Sequence, residues 1–330
     1  MTWLERQWQH RTAAGALLYP VALVFGVLAA LRRALYARHI LERQRLPVPV
    51  IVVGNITVGG TGKTPLVLWL TAWLQQRGYR PGIVTRGYGG SSTGPQPVRP
   101  DSDPARCGDE AVLLAARAGC PVWMGRDRPE AGRALLAAHP ECDVIVSDDG
   151  LQHYALERDV EIAVVDGARG WGNGWLLPAG PLREPLRRLR TVDAVVVQGA
   201  NGINVTPGVP AYAMRLTGRT FYNLLNREHQ VGPEFFQHGS VRAIAGIGHP
   251  ERFFRHLQQL GITFVARSYP DHYAFRAGDV ALPEADAVVM TEKDAVKCRR
   301  YATERCWVLP VDAEVDPALG ALVLGKLENR

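Results

Sequence analysis

The chain has 330 residues, 38 Lys and Arg against 32 Asp and Glu, a net charge of +6, and 47% hydrophobic residues. That apolar share builds a substantial core and excludes a disordered chain. Five cysteines without a CxxC pair exclude a disulfide framework or thiolate zinc site and fit a reducing compartment. Most of the charge excess lies in residues 1–46, which hold seven arginines against two acids, so the nearly neutral remainder argues against a nucleic-acid binder.

Residues 12–31, TAAGALLYPVALVFGVLAAL, contain no charge and reach the roughly 20 apolar residues that a bilayer crossing takes. On a helix, Leu17, Leu18, Val21, Val24, Phe25, Leu28 and Leu31 form an apolar face, while Ala14, Gly15, Ala22, Gly26, Ala29 and Ala30 form a small one. Arg32 and Arg33 follow at once, which argues against a cleaved signal. Trp3, Trp8, Tyr19 and Tyr36 suit headgroup depth. Arginines at both ends leave the orientation of a span unset. The expectation is therefore a helix lying in one leaflet, held by apolar burial and anionic lipid; a single span and an ordinary core helix are the rivals.

The run VIVVG empties into GNITVGGTGKTP and then LVLWLTAWLQQRG, which is the strand, glycine loop and helix of a P-loop. Thr57, Gly59, Gly60, Thr61 and Gly62 are the expected cradle for phosphate oxygens. Lys63 suits the β and γ phosphates of ATP, and the Thr64 hydroxyl suits magnesium. Thr57 stands where the usual GxxxxGK[ST] pattern has its first glycine. Asp148 and Asp149 end the hydrophobic run DVIV, at the sheet edge where ligands bind, and one of them should orient magnesium; an Asp-Asp-Gly turn is the alternative. With PGIVT, EIAVVD and DAVVVQ also strand-like between helical stretches, a doubly wound parallel α/β sheet is expected.

Kinases, ligases and nucleotide-driven membrane switches all fit these parts. Partitioning switches carry a lysine just before their GG, and Val58 occupies that place here. A kinase needs a base for its acceptor. Asp109 opens an amphipathic helix, where it is either that base or an acid favoured by the helix dipole. His272, in YPDHYAF, is a candidate fragment of the same site.

The ordered blocks GNITVGGTGKTP, TRGYGG, GDEAVLLA, SDDGLQH, PAGPLREP, GIGHPERFF, YPDHYAF and TEKDAVK span nearly the whole chain. Together they resemble the tetraacyldisaccharide 4'-kinases of lipid A biosynthesis. The resemblance implies ATP and Mg2+, and transfer of the γ-phosphate to the 4'-hydroxyl of a tetraacylated glucosamine disaccharide 1-phosphate, giving lipid IVA. It makes Asp109 the base, paired with His272, and places Lys63 and Asp149 in catalysis. Thr64, Asp148, Asp149 and Glu110 fall around the metal, and Arg128, Arg183 and Glu184 become further site contacts. Arg86, and the run Arg183, Arg187, Arg188 and Arg190, are candidates for the substrate 1-phosphate or lipid headgroups, with a solvated face the alternative for the run. The implied location is the cytoplasmic face of the bacterial inner membrane, with the lipid substrate and the membrane surface as partners. No nucleic acid and no obligate protein partner are expected.

The expected division is an N-terminal segment over 1–46, a P-loop kinase domain over 47–205, a connecting β-ribbon over 206–232 and a smaller α/β domain over 233–330. In TEKDAVK, Thr291 to Asp294 either contact ligand or cap a helix.

Overall fold

β-Branched runs, each feeding a helix, dictate the main architecture of the computed structural model. It describes residues 6–199 and 208–329; Trp3 and the expected boundary at 205/206 lie outside them. In chain order come α1 (Ala13–Ala37), β1 (Val50–Gly54), α2 (Lys63–Gln75), β2 (Pro81–Thr85), β3 (Gln96–Val98), α3 (Asp109–Arg117), β4 (Val122–Met124), α4 (Arg128–Ala138), β5 (Val144–Asp148), β6 (Val160–Asp166) and β7 (Ala194–Gln198). These are followed by β8 (Ala211–Thr217), β9 (Phe221–Asn223), β10 (Gln230–Val231), β11 (Val241–Ala245), α5 (Pro250–Gln259), β12 (Val265–Ser268), β13 (Ala287–Thr291), α6 (Glu292–Cys298), β14 (Cys306–Leu309), β15 (Asp312–Val315) and α7 (Pro317–Glu328).

The larger sheet has nine strands in the order β15-β8-β7-β6-β1-β5-β2-β4-β3. Its interior pairs are parallel, and antiparallel β3 and β15 close the two edges. Alternation along β1 sends Ile51 and Val53 into a core with Leu66, Leu70 and Leu114, while Val50 and Val52 enter a second core with Leu135 and Leu182. Helices on both faces make the sheet doubly wound, as expected. The smaller sheet has six strands, β10-β9-β14-β13-β11-β12, around its own core of Phe221, Phe236, Phe254 and Trp307.

The structure redraws the expected boundaries. The strand placed in a connecting ribbon, β8, pairs with β7 inside the larger sheet, whereas β9 joins the smaller one. The C-terminal residues also return: β15 pairs with β8, and Leu319 and Val323 of α7 enter the larger core. The reason is apolar area. Met214 on β8 and Leu319 on α7 cover α2 on a face that would otherwise be wet.

Helix α1 is capped by Thr12, whose hydroxyl accepts from Gly15 N at 3.1 Å, and runs six residues past Leu31 because Arg32 to Ala37 are all compatible with helix. Only Gly15 and Ala22 are fully buried. The small face rests on Trp175 and Leu176, so close that a Cβ on Gly26 would come 2.7 Å from Leu176. Leu17, Val24, Val27 and Leu28 face outward with at least 60% of their surface exposed, which rules out the core-helix alternative. Of the expected aromatic belt, Trp8 donates to Pro178 O and Tyr19 stacks near Trp175, so both are spent on the body of the protein. Tyr36 likewise approaches Tyr154.

Candidate active site

The site begins where β1 ends. Gly59 and Gly62 take φ of +96° and +90°, a region open chiefly to glycine, and turn the loop into the N-terminus of α2. Thr57 needs no such freedom. It bridges antiparallel to Leu182, and Val58 N donates to Pro181 O at 2.9 Å, so the PAGPLREP segment holds the loop extended where other P-loops place a glycine. Asn55 braces the turn through Thr61 Oγ1 at 3.3 Å.

The register of β1 with β5 sets Val53 opposite Asp148, delivering both aspartates beside the loop. Asp149 turns out of the strand with φ +49°. Its carboxylate meets Lys63 Nζ at 3.4 Å and Arg183 at 3.1 Å. Burial alone would raise its pKa, but Lys63 and Arg183 outweigh burial and hold it at about 2. Asp148 is fully buried, accepts from Thr85 Oγ1 at 3.3 Å, and is pushed upward by burial and then by Glu110 and Asp149. Its Oδ1 is enclosed without a hydrogen-bond partner. A buried carboxylate oxygen facing no donor suits a metal's water shell, so the residues present fit magnesium.

A second acidic group opens α3. Asp109 is 4% exposed, and its carboxylate receives His272 Nδ1 at 3.0 Å from across 163 positions of chain. His272 sits at φ +58° in a loop of the smaller unit, with its ring near that of Tyr88. Two lysines of α6 reach the same acids. Lys297 Nζ lies 3.6 Å from Asp109 Oδ2 and 2.8 Å from Asp294, while Lys293 Nζ lies 3.0 Å from Glu110 and 3.2 Å from Asp271. Burial would raise Asp109, but the His272 hydrogen bond and both lysines outweigh it, so its pKa falls below the ordinary value. The same hydrogen bond raises His272 against its partial burial.

The structure thus brings together Lys63, Asp149 and Arg183 at the P-loop, and Asp109, His272 and Glu110 at α3. Arg86 follows β2 and is exposed, with no bond among the described residues. Two expected contacts fall elsewhere. Arg128 is 2% exposed, and its guanidinium donates to the carbonyls of Gly125, Asp148 and Asp149, so it braces the aspartate corner from beneath instead of meeting substrate. Glu184 is buried and taken by Tyr154 OH, by Gln152 Nε2 at 2.9 Å and by Arg188, so its carboxylate is committed to the wall behind the loop. Thr291 does cap α6, accepting from Asp294 N, and Asp294 is buried.

Sequence reading missed Lys297, although the i, i+4 spacing of Lys293 and Lys297 on one helix face was the available signal. It also missed the bridge over the nucleotide side. Arg252 of α5 donates to Asp166 at the end of β6 and to Gln198 Oε1 at the end of β7, at 3.0 Å for the latter. Arg169 reaches Val58 O and His249 beside the loop.

Known proteins share this sequence and fold. The family model described as Tetraacyldisaccharide-1-P 4'-kinase, LpxK, matches residues 14–328. The tetraacyldisaccharide 4'-kinase of Dechloromonas aromatica is 50% identical over 99% of this chain and 98% of its own, and that of Methylobacillus flagellatus 48% over 98% and 96%. The crystal structure of LpxK from Aquifex aeolicus in complex with ATP superposes with a TM-score of 0.83 at 30% identity, over 95% of this chain and 99% of that one. This chain belongs to the tetraacyldisaccharide-1-P 4'-kinase family.

Proposed function

We propose that this chain transfers the γ-phosphate of ATP to the 4'-hydroxyl of a tetraacylated disaccharide 1-phosphate, the step that yields lipid IVA. The observation that carries the catalytic reading is the contact between Asp109 and His272, an ionised carboxylate opening α3 on the larger sheet and an imidazole from a loop of the smaller unit.

A sugar hydroxyl is a weak nucleophile near neutral pH. In this reading Asp109 accepts its proton as the hydroxyl oxygen bonds to the γ-phosphorus, and the bond from phosphorus to the β-phosphate oxygen breaks, its electron pair leaving with ADP. Asp109 has 3% of its side chain exposed and His272 26%, so the proton passes from the inner group to the outer one. Asp109's lowered and His272's raised pKa set that direction. The P-loop N–H groups, Lys63 and Arg183 stabilise charge on the transferred group, and Asp149 keeps both cations aimed at the loop. Thr64 and Asp148, with Asp149 beside them, would hold magnesium, which supplies charge neutralisation on the phosphate oxygens when bound. Arg86, exposed at the same edge, is the proposed contact for a substrate phosphate.

Helix α1 is proposed to lie at a membrane surface. Its outward Leu17, Val24, Val27 and Leu28 are mostly exposed, and its small face is occupied by the body, which favours lying in one leaflet over spanning. The cytoplasmic face of the inner membrane is the proposed location of that surface, a reading supported by membership of a lipid A pathway family.

The test of the reaction is transfer of labelled γ-phosphate to tetraacyldisaccharide 1-phosphate. Asp109→Asn should lose roughly 100- to 10,000-fold in kcat while ATP binding is retained. Near-wild-type turnover would reject Asp109 as base, and no transfer by the wild-type chain would reject the reaction itself.

A further inference from the structure

A cavity of about 600 Å3 separates the last turns of α1 from the body of the protein. Ala30, Ala34 and Ala37 form its helix wall, and such short side chains leave the space open. Arg33, Arg43, Arg158 and Arg188 also line it, with Tyr154 among them.

The acids of this cavity are already satisfied. Glu157 pairs with Arg45, Asp193 pairs with Lys326, and Glu161 receives both Arg158 and Arg188. Arg33 and Arg43 have no ion pair among the described residues. The enclosed Nε of Arg43 has no hydrogen-bond partner, whereas Arg188, 2% exposed, is already held by Glu161, Thr191 and, 3.7 Å from its Nε, Glu184. A buried guanidinium N–H without an acceptor is costly, and the spare charges of Arg43 and Arg33 together call for an anion with several oxygens. The cavity opens along the helix whose other face carries exposed Leu23, Val27 and Leu31. An anion arriving there would already be attached to acyl chains.

We propose that this cavity binds the phosphate of an anionic phospholipid headgroup, held by Arg33 and Arg43 with Arg188 at its floor. The site rests on the membrane reading of α1 and adds a defined headgroup position to it. It lies apart from the P-loop and the Asp109–His272 pair, and would fix the depth and tilt of the enzyme on the bilayer.

The test uses the full chain in detergent, observed by native mass spectrometry with phosphatidylglycerol added. Three proteins are compared: wild type, Arg33→Gln/Arg43→Gln, and the charge-matched Arg6→Gln/Arg38→Gln, which alters exposed arginines outside the cavity. Wild type and the control should each retain one phosphatidylglycerol, and the cavity variant should bind it roughly tenfold or more weakly. Inorganic phosphate at equal concentration should not displace the lipid. Equal weakening in both variants would overturn the site in favour of general surface charge. Displacement by phosphate, or no retained lipid on wild type, would also overturn it. Flotation of wild type on neutral phosphatidylcholine vesicles separates the two readings. If it floats while the cavity variant keeps its phosphatidylglycerol, only the headgroup site fails; if it floats on no vesicle, the membrane reading fails with it.

Discussion

His272 Nδ1 lies 3.0 Å from Asp109 Oδ2, and this pair joins the smaller sheet to the larger one as well as forming the proposed base. The two ionisations work in opposite directions on stability. The raised His272 contributes stability that is complete below the ordinary histidine value of about 6.5 and is lost as pH rises through its folded value. The lowered Asp109 contributes stability present above about 3.9 and lost as pH falls through its folded value. The pair is therefore at full strength between about pH 4 and pH 6.5. Urea unfolding of wild type and His272→Asn should differ most in that window, and the difference should shrink toward about pH 9. A difference that stays flat with pH would mean that the contact is not ionic.

Lys297 lies 3.6 Å from Asp109 Oδ2 and would act on the reaction through that carboxylate, so the role expected of it is positioning. It ties the proposed base to Asp294, which in turn accepts from Gly246 N at 3.0 Å, and Gly246 opens the loop that reaches His249 beside the P-loop. Lys297→Met should lower kcat by roughly tenfold or more with the ATP KM changed by less than about twofold. Lys297→Arg should restore part of the loss. A parallel rise in KM, or an equal defect in the arginine variant, would mean that the lysine only supports the fold.

The P-loop and both aspartates were legible because each is announced locally, by glycines before GKT and by acids at the end of an apolar run. The Asp109–His272 contact was legible only through the family resemblance, because an acid opening a helix and a lone loop histidine read equally well as structural. The fates of Arg128 and Glu184 were not, because a charged side chain reads the same in sequence whether it faces a ligand or a buried carbonyl. The partners that decide each fate are distant in the chain, Asp148 20 positions from Arg128 and Tyr154 30 from Glu184. The route of the chain after β7 failed for a similar reason. Short strands such as AYAMRL carry a β pattern but no information on which of two sheets they will join.

Tyr154 offers a direct check on Glu184. If Glu184 belongs to the wall behind the loop, Tyr154→Phe removes one of its donors and should cost about 1–2 kcal/mol in urea unfolding. The lipid KM should change by less than about twofold. A rise in lipid KM without loss of stability would return Glu184 to the substrate.

The C-terminal helix decides whether the last residues belong to the kinase body. Leu319 is fully buried in the core that contains Leu66, Leu70 and Val323, although more than 240 positions separate α7 from α2. Leu319→Ala removes apolar volume from that core and should cost roughly 2–5 kcal/mol. If α7 were part of the smaller unit alone, the loss would fall on that unit and leave the P-loop region unchanged. Because it packs against α2, the helix that starts at Lys63, the variant should instead speed hydrogen exchange across α2 and β1 more than across β11 and β13. Exchange accelerated only in the smaller sheet would restore the boundary at which the last residues stay with it.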